Sequence, residues 1–326
     1  MTVLVTGVAG FIGYHVTEAL LARGDQVIGV DNVNDYYDVR LKEARLARLE
    51  GRNGFTFHRI DIADFDAMRA LIADAPGVNR IVHLAAQAGV RYSLENPFAY
   101  VQANLVGHMT ILEIARHQPG FEHLVYASSS SVYGGNTKLP FAVDDPTDTP
   151  ISLYAATKKS DELMSHCYSH LYRIPQTGLR FFTVYGPWGR PDMAMYIFCK
   201  AISAGKPIPV FNNGDMHRDF TYIDDIVSGV LASLDNPPAV QDGKAPCRVY
   251  NIGNHRSEPL MRMIGLLEQA LGKKAEINFL PMQPGDVKET FADIEAISRD
   301  TGFTPTTPID VGVPRFVEWF RSYEDV

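Results

Sequence analysis

The first strand-to-helix junction constrains this chain more than any other stretch. Val3–Val5 reads as a short strand, Phe11–Ala22 as a helix, and between them lies Thr6-Gly7-Val8-Ala9-Gly10-Phe11-Ile12-Gly13. A tight turn of this kind needs a residue without Cβ, lets backbone approach a ligand closely, and leaves the helix amino end with free N–H groups and partial positive charge. Gly7, Gly10 and Gly13, with Phe11 and Ile12 among them, therefore predict a dinucleotide pyrophosphate cradle. A glycine triplet alone is a weak signal; its place between a strand and a helix gives it force.

The alternation continues through the first half. Short apolar runs at Gln26–Val30, Phe55–Phe57, Ile81–Leu84, Leu124–Ala127 and Thr177–Phe182 are separated by helical stretches at Asp64–Ala75, Tyr100–His117 and Leu153–Tyr172. This predicts an α/β fold with a doubly wound, Rossmann-type parallel sheet. Arg40–Leu49 reads as a helix with a thin apolar stripe and a solvated charged face, with no function of its own. Beyond Thr183 the pattern loosens into a smaller α/β lobe. The expected division is a dinucleotide-binding domain of 1–182 and 214–254, and a second, interleaved lobe of 183–213 and 255–326. Substrate is expected in the cleft between them.

Asp31 ends the second strand 18 residues after Gly13, where a carboxylate accepts from an adenosine ribose 2′-OH and repels a 2′-phosphate. Asn32 follows it, with no Arg beside it, so NAD is expected rather than NADP. Asp61 and Ile62 after the third strand, and Leu84, Ala85, Ala86 and Gln87 after the fourth, fall where such sheets meet adenine and the pyrophosphate-ribose region; simple packing is the other reading of these small residues.

Composition narrows the partners. Among 326 residues, 38 acidic side chains outnumber 30 basic ones, a net charge of −8, which argues against general nucleic-acid or anionic-membrane binding. Cys167, Cys199 and Cys247 are odd in number and far apart, so neither a disulfide framework nor a metal site is expected. No segment reaches the roughly 20 apolar residues of a membrane-spanning helix, and Met1–Gly7 has no leader-like pattern. The expectation is a cytoplasmic protein.

Tyr154 and Lys158 share one helix face at i, i+4, where an ammonium favours a phenolate able to take a proton. Tyr196 and Lys200 have the same spacing without upstream support. What distinguishes Tyr154 is Ser128-Ser129-Ser130-Ser131-Val132-Tyr133-Gly134, which follows a strand and can present a hydroxyl at the sheet edge. A bland serine-rich turn is the competing reading.

With its glycine turn, Ser129/Tyr154/Lys158 and Arg180-Phe181-Phe182-Thr183-Val184-Tyr185-Gly186-Pro187, the chain resembles the extended short-chain dehydrogenase/reductase family along nearly its whole length. Asp31–Asp38, His83–Ser93 and Arg190-Pro191-Asp192-Met193-Ala194 are most similar to bacterial UDP-glucuronate 4-epimerases within that family. The resemblance implies Ser129 as hydroxyl partner, Tyr154 as base, and Lys158 as the residue that holds the nicotinamide ribose and lowers the phenol pKa. It adds Asn104 to the cofactor-binding set and Arg91 to the substrate-binding set.

Dehydrating relatives carry an Asp-Glu pair after that hydroxyl, and decarboxylating relatives a Glu before Val-Tyr-Gly. Here those places hold Ser130 and Ser131, which leaves simple redox epimerisation, and the resemblance implies a UDP-sugar as its substrate. Arg190 is the candidate for a sugar carboxylate, against the alternative of a surface loop Arg. Thr183 stands where glucose-type relatives usually have Asn. Arg218 matches a diphosphate-binding Arg and Asp286 a residue on the UDP ribose, while Gln283 replaces an Arg usual in glucose-type relatives. The expected reaction is C4 inversion of UDP-glucuronate to UDP-galacturonate with NAD, in a homodimer. The alternatives are UDP-glucose 4-epimerisation and, less favoured, a non-catalytic NAD-binding protein.

Overall fold

The computed structural model describes every residue except 76, 284 and 285. In chain order its first part runs β1 (Thr2–Thr6), α1 (Phe11–Ala22), β2 (Gln26–Asp31), α2 (Val39–Leu49), β3 (Phe55–Arg59), α3 (Phe65–Ala73), β4 (Arg80–His83), the short α4 (Tyr92–Glu95) and α5 (Pro97–Tyr100), α6 (Gly107–His117), β5 (His123–Ser129), α7 (Leu153–Tyr172) and β6 (Gln176–Phe181). There follow β7 (Thr183–Tyr185), α8 (Ala194–Ser203), β8 (Ile208–Phe211), β9 (His217–Arg218), β10 (Phe220–Tyr222), α9 (Ile223–Asp235), β11 (Cys247–Ile252), β12 (Glu258–Pro259), α10 (Leu260–Leu271), β13 (Ile277–Leu280), β14 (Glu289–Thr290), α11 (Glu295–Thr301) and α12 (Ile309–Glu324).

Seven strands make one sheet in the order β11-β6-β5-β4-β1-β2-β3, and every pairing in it is parallel. Both faces are covered, and the side-chain period of two shows it: Val3 and Val5 join one buried cluster while Leu4 joins the other. Chain order reverses between β1 and β4, so their carboxyl ends part and open a crevice. The small strands form separate pairings outside this sheet, β7 with β10, β9 with β12 and β14, and β8 with β13.

One expectation needs correction and a second gains detail. The face of α2 is not simply solvated: Arg45 is fully buried, with Nη1 donating to Ala9 O (2.8 Å) and Nη2 to Trp188 O (2.6 Å). It satisfies carbonyls of the glycine turn and of the corner before Arg190, so its charge faces inward. The expected helix Tyr100–His117 contains a π-helical stretch, Val101–Val106. Wider winding of this kind is common near functional sites, and here it contains the buried Asn104.

Candidate active site

Gly7 follows β1 with φ +75°, and a Cβ there would lie 2.7 Å from the Ala85 nitrogen. At Gly13 a Cβ would come within 2.1 Å of the Gly7 oxygen, so α1 can pack on its own turn only without a side chain. Asp31, at the end of β2, accepts the Ala9 N–H through Oδ2 (3.1 Å) and the Val33 N–H through Oδ1 (2.8 Å). Burial raises its carboxyl above the ordinary value, opposed by Lys42 and these N–H donors. The Lys42 ammonium donates to Asn34 O (2.8 Å) and Oδ1 (2.6 Å).

One cleft runs from Gly7, Gly10, Phe11, Ile12 and Gly13, past Asp31, Asn32, Asp61, Ile62 and Leu84–Gln87, to Ser129, Tyr154, Lys158 and Arg190. A close-approach turn, a helix amino end and a buried acceptor at the next strand fit a dinucleotide. Asn104 does not line this wall. Its Oδ1 accepts from Gln87 N (2.8 Å), and its Nδ2 donates to Gln87 O (3.1 Å) and Thr157 Oγ1 (3.0 Å), so it braces the segment after β4.

Ser152 caps α7 by accepting the Ala155 N–H (3.1 Å), and the helix then carries Tyr154 and Lys158 one turn apart into the cleft. Lys158 Nζ donates to Ala127 O and to Asp161 Oδ2, both at 3.0 Å. Ser129 Oγ accepts the Ser131 N–H and donates to Ser131 Oγ, both at 3.1 Å, which holds the serine turn against β5. Ser128 reaches the other way, donating to Glu162 (2.6 Å), itself gripped by Arg180 (2.8 and 2.9 Å). A hydroxyl, a phenol and an ammonium thus border one cleft, a set able to move a proton to and from a sugar hydroxyl.

Arg190 borders the same cleft, but its fork is already engaged. Nε donates to Asp192 Oδ1 (3.0 Å) and Nη2 to Oδ2, while Tyr36 donates its hydroxyl to Oδ2 (3.0 Å). The remaining expected residues lie off the cleft wall. Ser130 and Ser131 lie in the turn after β5, and Thr183 opens β7. Arg91 pairs with Asp286 (3.1 Å) and lies over the Phe211 ring (4.8 Å). Arg218 Nη1 donates to Lys288 O (3.0 Å); burial lowers its pKa while Asp286 pulls the other way, so these groups share one region of the smaller strands. Pro284 and Gly285 lie outside the described residues.

Sequence reasoning assigned no role to Tyr36, Lys42, Asp161 or Asp192. Tyr36 and Asp192 stood inside segments already singled out by resemblance, but nothing in a linear pattern says that residues 36 and 192 meet.

The sheet and cleft define a Rossmann-type enzyme of the extended short-chain dehydrogenase/reductase kind. Residues 3–253 match the NAD dependent epimerase/dehydratase family, and the chain belongs to it. It is 50% identical to UDP-glucuronate 4-epimerase 4 of Arabidopsis thaliana, over 99% of this chain and 76% of the relative. It is 49% identical to a probable UDP-glucuronate 4-epimerase of Rhizobium meliloti, over 98% and 97%. The crystal structure of UDP-glucuronic acid 4-epimerase from Bacillus cereus, in complex with UDP-glucuronic acid and NAD, matches with a TM-score of 0.90 at 35% identity, covering 99% of this chain and 100% of that one.

Proposed function

We propose that this enzyme inverts C4 of UDP-glucuronate to give UDP-galacturonate, using NAD. The observation that carries the reading is Arg190 on the same cleft as Ser129, Tyr154 and Lys158, a cation suited to a sugar carboxylate beside groups suited to a sugar hydroxyl. When bound, NAD supplies the redox chemistry, taking hydride from C4 and returning it to the opposite face of the transient 4-keto sugar.

The glycine turn holds the pyrophosphate, and Asp31 the adenosine ribose. Tyr154 takes the 4-OH proton and later gives it back; Ser129 shares that proton, and Lys158 orients the nicotinamide ribose. Ser130 and Ser131 bring no carboxyl group to assist elimination. A 4-keto glucuronate is a β-keto acid that loses CO2 when the breaking bond aligns with the carbonyl. Arg190 holds the carboxylate out of that alignment. Arg218 takes the diphosphate, Asp286 the uridine ribose, and Arg91 steadies Asp286.

The reading includes a cytoplasmic homodimer. Phe98 is 82% exposed, and Leu94 on α4 and Leu163 and Leu171 on α7 are also exposed, apolar side chains available for burial against a second copy.

Purified protein incubated separately with UDP-glucuronate and UDP-glucose, with products separated by anion-exchange chromatography, tests the assignment. UDP-galacturonate from the first tube is expected; its absence with NAD supplied would falsify the reading. The prior engagement of Arg190 by Asp192 favours one competitor, a neutral UDP-hexose epimerase, which equal or better turnover of UDP-glucose would establish.

A further inference from the structure

We infer that Asp161 is a positioning residue, the counter-ion that fixes the Lys158 ammonium at the edge of the cleft and acts on the reaction through it; this rests on Lys158 serving the reaction beside Tyr154. The two side chains are 3% and 1% exposed and meet at 3.0 Å one helical turn apart. Asp161 and Ala127 O take two of the three ammonium protons, which leaves one for the cleft that Lys158 borders. A buried ammonium needs an anion or sheds its proton.

The surroundings offer no substitute. Glu162, next on α7, is committed to Arg180 and Ser128, with Lys159 at 3.7 Å. From α6, His108 is pushed down to about 3 by burial, with Lys158 adding, and from β4 His83 is driven well below its ordinary value for the same reasons together with His108. From β5, burial holds the Tyr126 phenol protonated. Among the described residues, Asp161 is the one carboxylate hydrogen-bonded to Lys158. Its second oxygen is buried without a hydrogen-bond partner, an arrangement that packing alone does not favour. Burial raises its carboxyl to about 6 despite Lys158, so the pair changes charge in mildly acidic solution.

The test compares NAD-loaded wild type with Asp161→Asn, which keeps an acceptor without charge, and Asp161→Leu, which keeps neither. Wild-type kcat should fall on the acid side with a midpoint near about 6, and Asp161→Asn should lack that limb. On dilution, Asp161→Leu should lose NAD about tenfold faster than wild type, as expected for a lost hydrogen bond to a charged group, with Asp161→Asn recovering most of the difference. An unchanged acid limb in Asp161→Asn, or wild-type NAD retention in Asp161→Leu, overturns the inference. Should the Leu variant fail to fold, carbon NMR of the Asp161 carboxyl decides. Its midpoint must rise in Lys158→Met, and an unmoved midpoint overturns the coupling. NAD retention and carboxyl titration involve no sugar, so a wrong substrate assignment would leave them intact.

Discussion

Two cations border the same cleft, each paired with a carboxylate, and the pairs are built in opposite ways. Lys158–Asp161 lies inside α7's packing at 3% and 1% exposure, whereas Arg190–Asp192 lies in a loop at 22% and 29%, with Tyr36 sharing the carboxylate. Separating charges is costly in the first setting, about 3–5 kcal/mol when one partner is removed, while solvent-screened pairs are worth about 0–1 kcal/mol. A buried pair therefore holds a fixed geometry. A pair at the rim can exchange its carboxylate for one arriving on a ligand, so the first suits chemistry common to every substrate and the second suits selection among substrates.

Breaking the buried pair should give the larger effect. Lys158→Met strands Asp161, and initial rates with any UDP-sugar that wild type accepts should fall about 100- to 10,000-fold, the range for losing support of general acid–base catalysis. Tyr154→Phe should fall in the same range. If Lys158→Met slowed one sugar and spared another, the division of labour between the pairs would be wrong.

Next comes Arg190→Ala. Once the bound sugar excludes water from the rim, a substrate carboxylate left unpaired costs about 2–5 kcal/mol, which should appear in kcat/KM for UDP-glucuronate. Turnover of UDP-glucose, where measurable, should barely change. Trapping of released CO2 adds a second readout, since a poorly held 4-keto glucuronate decarboxylates. Equal losses on both sugars would reduce Arg190 to a structural residue.

The contrast also marks what can be read from a linear chain. The glycine turn, Asp31 and the Tyr154/Lys158 spacing are local: each depends on one turn or one helix face, and α1 and α7 fall at the expected Phe11–Ala22 and Leu153–Tyr172. Arg45 could not be read this way, because its partners are carbonyls of residues 9 and 188, brought to it by the turn after β1 and the corner after β7. Likewise the two-residue strands β9, β12 and β14 are too short to show alternation; their existence depends on mutual pairing. Asp161 looked like one more polar helix residue, since burial of its face is decided by packing against α6 and β5.

Asp192→Asn probes the rim directly and should have a modest effect. Removing the internal carboxylate frees the Arg190 fork, so KM for UDP-glucuronate should fall by a few-fold, bounded by the roughly 1 kcal/mol of a partly exposed pair. Tyr36→Phe, which removes only the hydroxyl donor to Asp192, should change it less. A rise in KM in steady-state assays of Asp192→Asn would show that Asp192 braces Arg190 for the substrate instead of competing with it.

The smallest effect concerns stability against pH, where the two carboxylates carry opposite signs. Burial raises Asp161 to about 6 even with Lys158 attached. The folded chain therefore binds that proton more tightly than the unfolded one, and its stabilising contribution is present below the unfolded value and lost as pH rises through about 6. For Asp192, burial pushes upward but Arg190 outweighs it and holds the carboxyl below the ordinary range. Its contribution is present at neutral pH and lost only as the solution becomes acidic enough to protonate it. Thermal melts of wild type and the two Asn variants on descending from neutral pH should separate these cases. Wild type gains on Asp161→Asn as pH drops below about 6, whereas its margin over Asp192→Asn holds steady there and shrinks only at lower pH. Parallel curves for both variants would mean that the two pairs share one electrostatic setting, and the distinction between a fixed and an exchangeable cation would lose its basis.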